Sequence, residues 1–234
     1  VNMKPGTDLK LNTEAEETDS AGRPWPVPPR QQPYAIALEL SFDTLTANPP
    51  SPEKLESLGA KTEPEGIRLA VLNREILVNL GKSEVTVIGG GKARVGWAVL
   101  VLHYLSAEDV TLDTREATLA HFSDTRGYLA VFGKRIVGRF LKSVGKTSEI
   151  FAQKSEQIGG ALVPSTGMCY SFNVLPRVPI AIVRHEGDED FGPGANVIYR
   201  ADIERLLPAE DRVVAAELLL DTLSGAPIDE RQGG

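Results

Sequence analysis

The segment ARVGWAVLVLHYL, residues 93–105, is the most apolar of the helix-like stretches in the 234-residue chain. Wound as a helix, it has hardly any polar face, which is typical of a helix that is buried on all sides. We therefore predict a central, buried helix over 93–105. Its unbroken apolar run, 97–102, is far shorter than the roughly 20 residues that span a bilayer, so no membrane span is predicted.

Strands are predicted on both sides of this helix. Before it, apolar residues alternate or run together between short turns, which predicts a three-stranded antiparallel meander at 67–72, 76–80 and 84–88. After it, two strands are predicted at 170–174 and 178–183. Further helices are predicted from apolar spacing and from start and stop signals, at 34–45, 51–58, 127–144, 148–158 and 208–223.

The order of these elements decides the fold class. Strands come before helices, then strands return, and a helix closes the chain. This order predicts an α+β fold, in which an antiparallel sheet built from the meander and the later strands packs against the buried central helix and several amphipathic helices. We predict a single α+β domain at 34–225, after an acidic and then proline-rich flexible tail at 1–33 and before a flexible C-terminal tail at 226–234.

The composition excludes several classes of function. One cysteine, Cys169, rules out an intramolecular disulfide and any all-cysteine metal site. The net charge of −7 argues against nucleic acid as the main partner, because phosphate binding needs an excess of lysine and arginine on some face. A protein partner or a small ligand remains open. Without a signal segment or a membrane span, the expected location is the cytoplasm.

Glycine motifs match the pattern of phosphate loops only in part. Gly89-Gly90-Gly91 lies between a predicted strand and a helix, where backbone amides can cradle an anion. However, no glycine stands five residues before Gly81-Lys82-Ser83 or Gly145-Lys146-Thr147, so neither is a Walker loop. We favour a turned or flexible connection at 89–92 over a nucleotide site.

Basic residues recur along the predicted helix at 127–144 and just beyond it. Arg135, Arg139, Lys142 and Lys146 follow one another at spacings of four, three and four, opposite the apolar stripe. This spacing predicts a basic ridge on one helix face. We favour a solvated face over a docking surface for an anion, an acidic protein or nucleic acid.

Two single residues could carry chemistry. His103 lies in the apolar central helix, where a core histidine is favoured over a ligand to a metal or to tetrapyrrole iron. Cys169 lies between Met168 and Tyr170, where a small buried side chain is favoured over a reactive thiol or a soft metal ligand.

The acidic segment 185–194, HEGDEDFGPG, directly follows an apolar strand. Four carboxylates within five residues repel one another unless they fan into water, cap backbone amides or meet a cation. A solvated acidic loop, an amide-capping turn and a metal or catalytic site all remain open. The metal alternative would use His185, Glu186 and Asp188, with His103 or Tyr104 reaching in from the central helix.

The segments 175–191, 194–198 and 206–211 resemble the prokaryotic family of uncharacterised proteins described as domain of unknown function 3786. Weaker similarity extends the resemblance to about residues 36–224. His185 stands where the family has tryptophan, and Asp190 stands where it has glutamate. The resemblance implies a shared domain and a ligand-binding or structural motif, whose members are Glu186, Asp188, Glu189, Asn196, Glu210 and Asp211.

Two functions are therefore expected. The first is a non-catalytic accessory module that binds a ligand or a protein, since no catalytic constellation is recognisable. The alternative is a metal- or tetrapyrrole-dependent enzyme or metalloprotein, with a carboxylate and histidine site around Glu186 and Asp188. Neither a cofactor nor a substrate is identified by the sequence.

Overall fold

The computed structural model describes residues 31–108 and 111–230, with the backbone alone for 31–33. Most of the predicted N-terminal tail thus lies outside the described residues. Residues 31–33 differ from the prediction, because they already belong to the first helix. The helices are α1 (Gln31–Ala47), α2 (Pro52–Ser57), α3 (Val95–Leu105), α4 (Leu129–Phe132), α5 (Gly138–Lys142), α6 (Ser148–Gln157), α7 (Ile203–Leu206) and α8 (Ala209–Leu223).

The first sheet is the predicted meander with one more strand. Its strands pair antiparallel in chain order, so the α+β prediction with an antiparallel meander is confirmed. The extra strand is only three residues long, too short for an alternating pattern to predict it. The strands are β1 (Lys61–Glu63), β2 (Gly66–Val71), β3 (Arg74–Asn79) and β4 (Glu84–Val87).

In contrast to the prediction, the later strands do not join the meander in one sheet but form a second sheet of five antiparallel strands in the order β5-β9-β8-β7-β6. Its central strands β7 and β8 correspond to the two predicted later strands, and both are longer than predicted. The strands are β5 (Glu116–Ala117), β6 (Ala161–Val163), β7 (Met168–Leu175), β8 (Val178–His185) and β9 (Gly194–Arg200). A hydrogen bond from the amide of Leu72 to the carbonyl of Asn173, 3.1 Å, joins the two sheets.

Helix α3 is buried as predicted. Trp97, Leu100 and Leu102 are at most 1% exposed, and α1 and α8 both pack against this helix. The Tyr104 hydroxyl donates to the carbonyl of Leu58 at 2.5 Å and accepts from the amide of Arg177 at 3.2 Å. Tyr104 therefore ties the central helix to the end of α2 and to the turn between β7 and β8.

The predicted amphipathic helix at 127–144 is not continuous. A 3-10 turn (Ser123–Tyr128) leads into α4, and a π turn (Gly133–Val137) separates α4 from α5. Glycines lie at both junctions of the π turn, Gly133 and Gly138, and glycine is the weakest helix former after proline. The π turn changes the direction in which the side chains after it point. The regular spacing of apolar residues in the sequence did not predict this change.

The C-terminal segment after α8 is docked through residue 230, in contrast to the predicted flexible tail at 226–234. Ile228 is 6% exposed, and its carbonyl accepts from the amide of Arg94 at 2.8 Å. The Asp229 carboxylate accepts from the amide of Gly91 at 3.1 Å. A Cβ at Gly90 would lie 2.5 Å from this carboxylate, so glycine permits the close approach. The glycine loop thus binds a carboxylate of its own chain.

None of the helices in the described part of the chain combines the length and the apolar character that crossing a membrane requires.

Candidate functional site

The five-stranded sheet has one face in the core and one outer face. Along β8, Ile180 and Ile182 point into the core, while Ala181, Val183 and His185 alternate with them on the outer face. A cavity of about 560 Å³ lies over this outer face. We call this cavity the sheet cleft.

Apolar and polar side chains both line the sheet cleft. Its apolar part includes Val163, Ala181, Val183 and Ile198. Its polar side chains are those of Glu116, Ser165, Thr166, Ser171, His185 and Asn196. The lining is therefore mixed rather than mainly apolar, and the volume of the cleft is large enough for a small ligand.

Strand register places the central residues of the cleft. Val183 is paired with Cys169 on one side and with Asn196 on the other, so these three residues form a row across three strands. His185 is paired with Gly194 at the end of the same hairpin. The hairpin loop 186–193 therefore leaves the sheet at the edge of the cleft.

Cys169 is buried in the floor of the sheet cleft. The residue is 3% exposed, and its sulfur is a free thiol. Burial, and secondly the negative charge of Glu116, raise the pKa of the Cys169 thiol above its ordinary value. The thiol therefore stays protonated at neutral pH, which agrees with a small buried side chain rather than an activated nucleophile.

The acidic loop divides its carboxylates between different partners. Asp188 accepts hydrogen bonds from the amides of Asp190 at 3.0 Å and Phe191 at 2.7 Å, and its own amide donates to the carbonyl of Phe191 at 2.8 Å. Asp188 thus caps amides and closes the turn. The side chain of Glu189 is exposed at this turn.

Glu186 caps no amide in the described structure, in contrast to one predicted alternative. Its carboxylate lies 2.5 Å from Nη1 of Arg184 and accepts a short hydrogen bond from the Ser148 hydroxyl. These two hydrogen bonds, the one from Arg184 first, lower the pKa of Glu186. The physical reason is that Arg184, only 4% exposed, brings a buried cation to the base of the loop.

A second cavity, of about 310 Å³, lies between the end of α3, α7 and the start of α8. His103 lines it, and Nδ1 of His103 is 2.6 Å from Oδ2 of Asp211. The hydrogen bond with Asp211 raises the pKa of His103, although burial opposes the shift. His103 and Asp211, which were predicted as separate site residues and lie 108 positions apart, therefore form one pair. Glu210, one residue before Asp211, is exposed in the first turn of α8.

A family model described as domain of unknown function (DUF3786) matches residues 52–222, well over half of the chain. The chain belongs to this family. The predicted resemblance is therefore confirmed, over a shorter range than 36–224. No curated protein and no solved structure matches the chain.

Both cavities of this DUF3786 domain lie within the matched residues, whereas α1 lies before them. The residues predicted as metal ligands are not brought together: His103 is bonded to Asp211, and Glu186 to Arg184. Over residues 31–108 and 111–230, no three histidine, cysteine, aspartate or glutamate side chains are grouped so that they could hold a metal ion.

The predicted basic ridge of the DUF3786 domain is split. Arg135 lies 2.6 Å from Glu217, and Arg139 lies 2.5 Å from Asp221. Both acids are on α8, four residues apart like the arginines, so the two helical segments are joined by a pair of salt bridges. The ridge is therefore neither a fully solvated face nor a surface whose four basic residues are all free to bind an anion. Its other two members, Lys142 and Lys146, are exposed.

The sequence did not predict that the residues of the sheet cleft of the DUF3786 domain form one site. Glu116 and Ser171 were not marked at all, and Asn196 was marked only through the family resemblance. One signal was present: along β8 the inward residues are large and aliphatic, whereas the outward ones include Ala181 and His185. Such asymmetry between the faces of a strand indicates which face is open.

Proposed function

We propose that this DUF3786 domain is a non-catalytic binding module whose ligand occupies the sheet cleft. The observation that carries the proposal is the cleft itself, a cavity of about 560 Å³ with an apolar part and several polar side chains. Clefts that bind drug-sized ligands have volumes of roughly 300–1,000 Å³, a range that includes the volume of this cleft. The raised pKa of Cys169 favours binding over covalent chemistry, because no thiolate is formed there at neutral pH.

The acidic loop extends the proposed binding surface. The side chain of Phe191 is 74% exposed at the tip of the loop, on the turn that Asp188 closes. An aromatic ring held outside the core offers a large contact area to a partner. Since His185 and Asn196 join this loop to the cleft, a ligand in the cleft is within reach of the loop.

The proposal predicts that filling the cleft abolishes binding. Ala181→Trp places a large side chain over the outer face of β8, where the cleft lies. A library of drug-sized fragments, measured by saturation-transfer NMR, should give binders to the wild type that no longer bind the Ala181→Trp variant.

Ala70→Trp is the matched control, because it makes the same substitution at an exposed strand position of the other sheet. This control should keep the fragment signals. Fragments that bind Ala181→Trp as well as they bind the wild type would contradict the cleft as the binding site, and the absence of any binding fragment would contradict the function.

Metal or tetrapyrrole binding at His103 is the second candidate that we propose. It is favoured by the position of Asp211 at Nδ1, because carboxylates orient metal-binding histidines in this way and leave Nε2 for the metal. Protein purified without chelator should then contain about one metal ion or tetrapyrrole per chain. Elemental analysis and the absorption spectrum measure this content. His103→Gln should lose it and His185→Gln should keep it, whereas less than about 0.1 per chain would contradict the candidate.

A further inference from the structure

The lining of the sheet cleft carries negative charge that no lysine or arginine among its described residues balances. Glu116 contributes a carboxylate to its lining, and no lysine or arginine lines it in the described part of the chain. Arg200 is the register partner of Glu116, yet its guanidinium is bonded to Asp202 at 2.6 and 2.7 Å. The arginine opposite Glu116 therefore has its charge matched by a different carboxylate.

The floor of the cleft holds a polar group without a hydrogen-bond partner. Residue Cys169 is 3% exposed and lines the cavity, and no described group hydrogen-bonds to its sulfur. The charge of Glu116 acts on this thiol, since it is the second cause of the raised pKa after burial. The negative potential of Glu116 thus extends to the cleft floor.

The rim adds charge of the same sign. Glu189 and Asp190 lie on the loop that leaves the cleft, and neither forms a salt bridge within the described residues. Their exposure weakens each interaction, but several charges of one sign beside a cavity favour a ligand of opposite sign.

From these observations we infer that the sheet cleft takes a cationic organic ligand, an ammonium group on an apolar stem. The ammonium lies towards Glu116, and the stem covers the apolar part of the cleft at Ala181, Val183 and Ile198. This inference rests on the proposed binding function and names the chemical class of its ligand. The ammonium belongs either to a free small amine or to a lysine side chain of a protein.

Cys169 supplies the measurement, because it is the only cysteine of the chain. Because this thiol is buried and protonated, it reacts slowly, and its alkylation by excess iodoacetamide is followed over hours by mass spectrometry of the intact protein. The rate of alkylation reports whether the cleft is occupied. Three probes of similar size differ in charge: benzylammonium, benzyl alcohol and benzoate. We expect benzylammonium to slow alkylation about threefold at twice its dissociation constant, benzyl alcohol to protect less at the same concentration, and benzoate not to protect.

Glu116→Gln should remove the preference for benzylammonium over benzyl alcohol. For each variant, the alkylation rate with probe is divided by the rate without probe. This ratio is needed because Glu116→Gln also changes the reactivity of Cys169. Glu39→Gln is the control: it removes the same charge from the exposed surface of α1 and should leave the preference unchanged.

The outcomes separate this inference from the proposed function. Equal protection by benzylammonium and benzyl alcohol, or protection by benzoate, would overturn the cationic ligand while the cleft still binds. No protection by any probe would overturn the inference, and the fragment measurement would then decide the binding function separately. If the inference is supported, a peptide distinguishes the two sources of the ammonium group. Stronger protection by acetyl-Leu-Lys-Leu-amide than by benzylammonium identifies the lysine side chain of a protein. Stronger protection by benzylammonium identifies a free amine.

Discussion

Arg184→Met should lower the free energy of unfolding by about 3 kcal/mol, because several buried hydrogen bonds lose their donor together. The guanidinium is 4% exposed; its Nε donates to the carbonyl of Gly145 at 2.8 Å, and its Nη1 donates to the hydroxyl of Ser148 at 3.0 Å. Methionine keeps the apolar stem but leaves the Gly145 carbonyl without this donor. Urea unfolding measures the loss.

Glu186→Gln is the matched control for this prediction. The Glu186 side chain is 69% exposed, and glutamine keeps an oxygen that can accept from Ser148 and Arg184. The control should therefore lose much less stability than Arg184→Met. Equal losses in the two variants would show that the ion pair with Glu186, and not the anchoring of Arg184 to residues 145–148, carries the stability.

The parts of the fold that could be predicted are those with strong local signals. The central helix and the three predicted strands of the meander follow from apolar periodicity that packing reinforces. Strands β1, β5 and β6 span only two or three residues, so they depend on their neighbours rather than on their own pattern. Strand β9 alternates Ala195, Val197 and Tyr199, yet it begins at a glycine directly after the loop, where the sequence favours a turn.

The candidate sites could be predicted only in part, because their members are distant in sequence. His103 and Asp211 were each marked, but nothing local indicates that α3 and α8 bring them together. The same holds for the basic residues: the acids that pair with Arg135 and Arg139 are 82 positions away. Spacing along one helix shows which residues share a face, and only the tertiary fold shows what that face meets.

Gly145→Ala should also lower the free energy of unfolding by about 3 kcal/mol, because the new methyl group has no space. A Cβ at Gly145 would lie within 2.6 Å of three ring carbons of Phe140. This ring is held in place: its centroid is 5.0 Å from that of Phe151, at an interplanar angle of 84°, and Phe151 contacts Tyr170 in the same edge-on manner. The aromatic cluster therefore resists moving aside, and urea unfolding should show the loss.

Two comparisons test whether the clash is the cause of this loss. Gly192→Ala adds the same methyl group where no atom lies within 4 Å, so it should change the free energy of unfolding by less than about 0.5 kcal/mol. Phe140→Leu removes the ring edge that meets the new methyl group, at a cost of its own. Adding Gly145→Ala to Phe140→Leu should then cost at least about 1 kcal/mol less than adding it to the wild type, since mutations at contacting residues are coupled. A full loss in the Phe140→Leu background would instead place the cause in the backbone at residue 145, whose carbonyl accepts from Arg184.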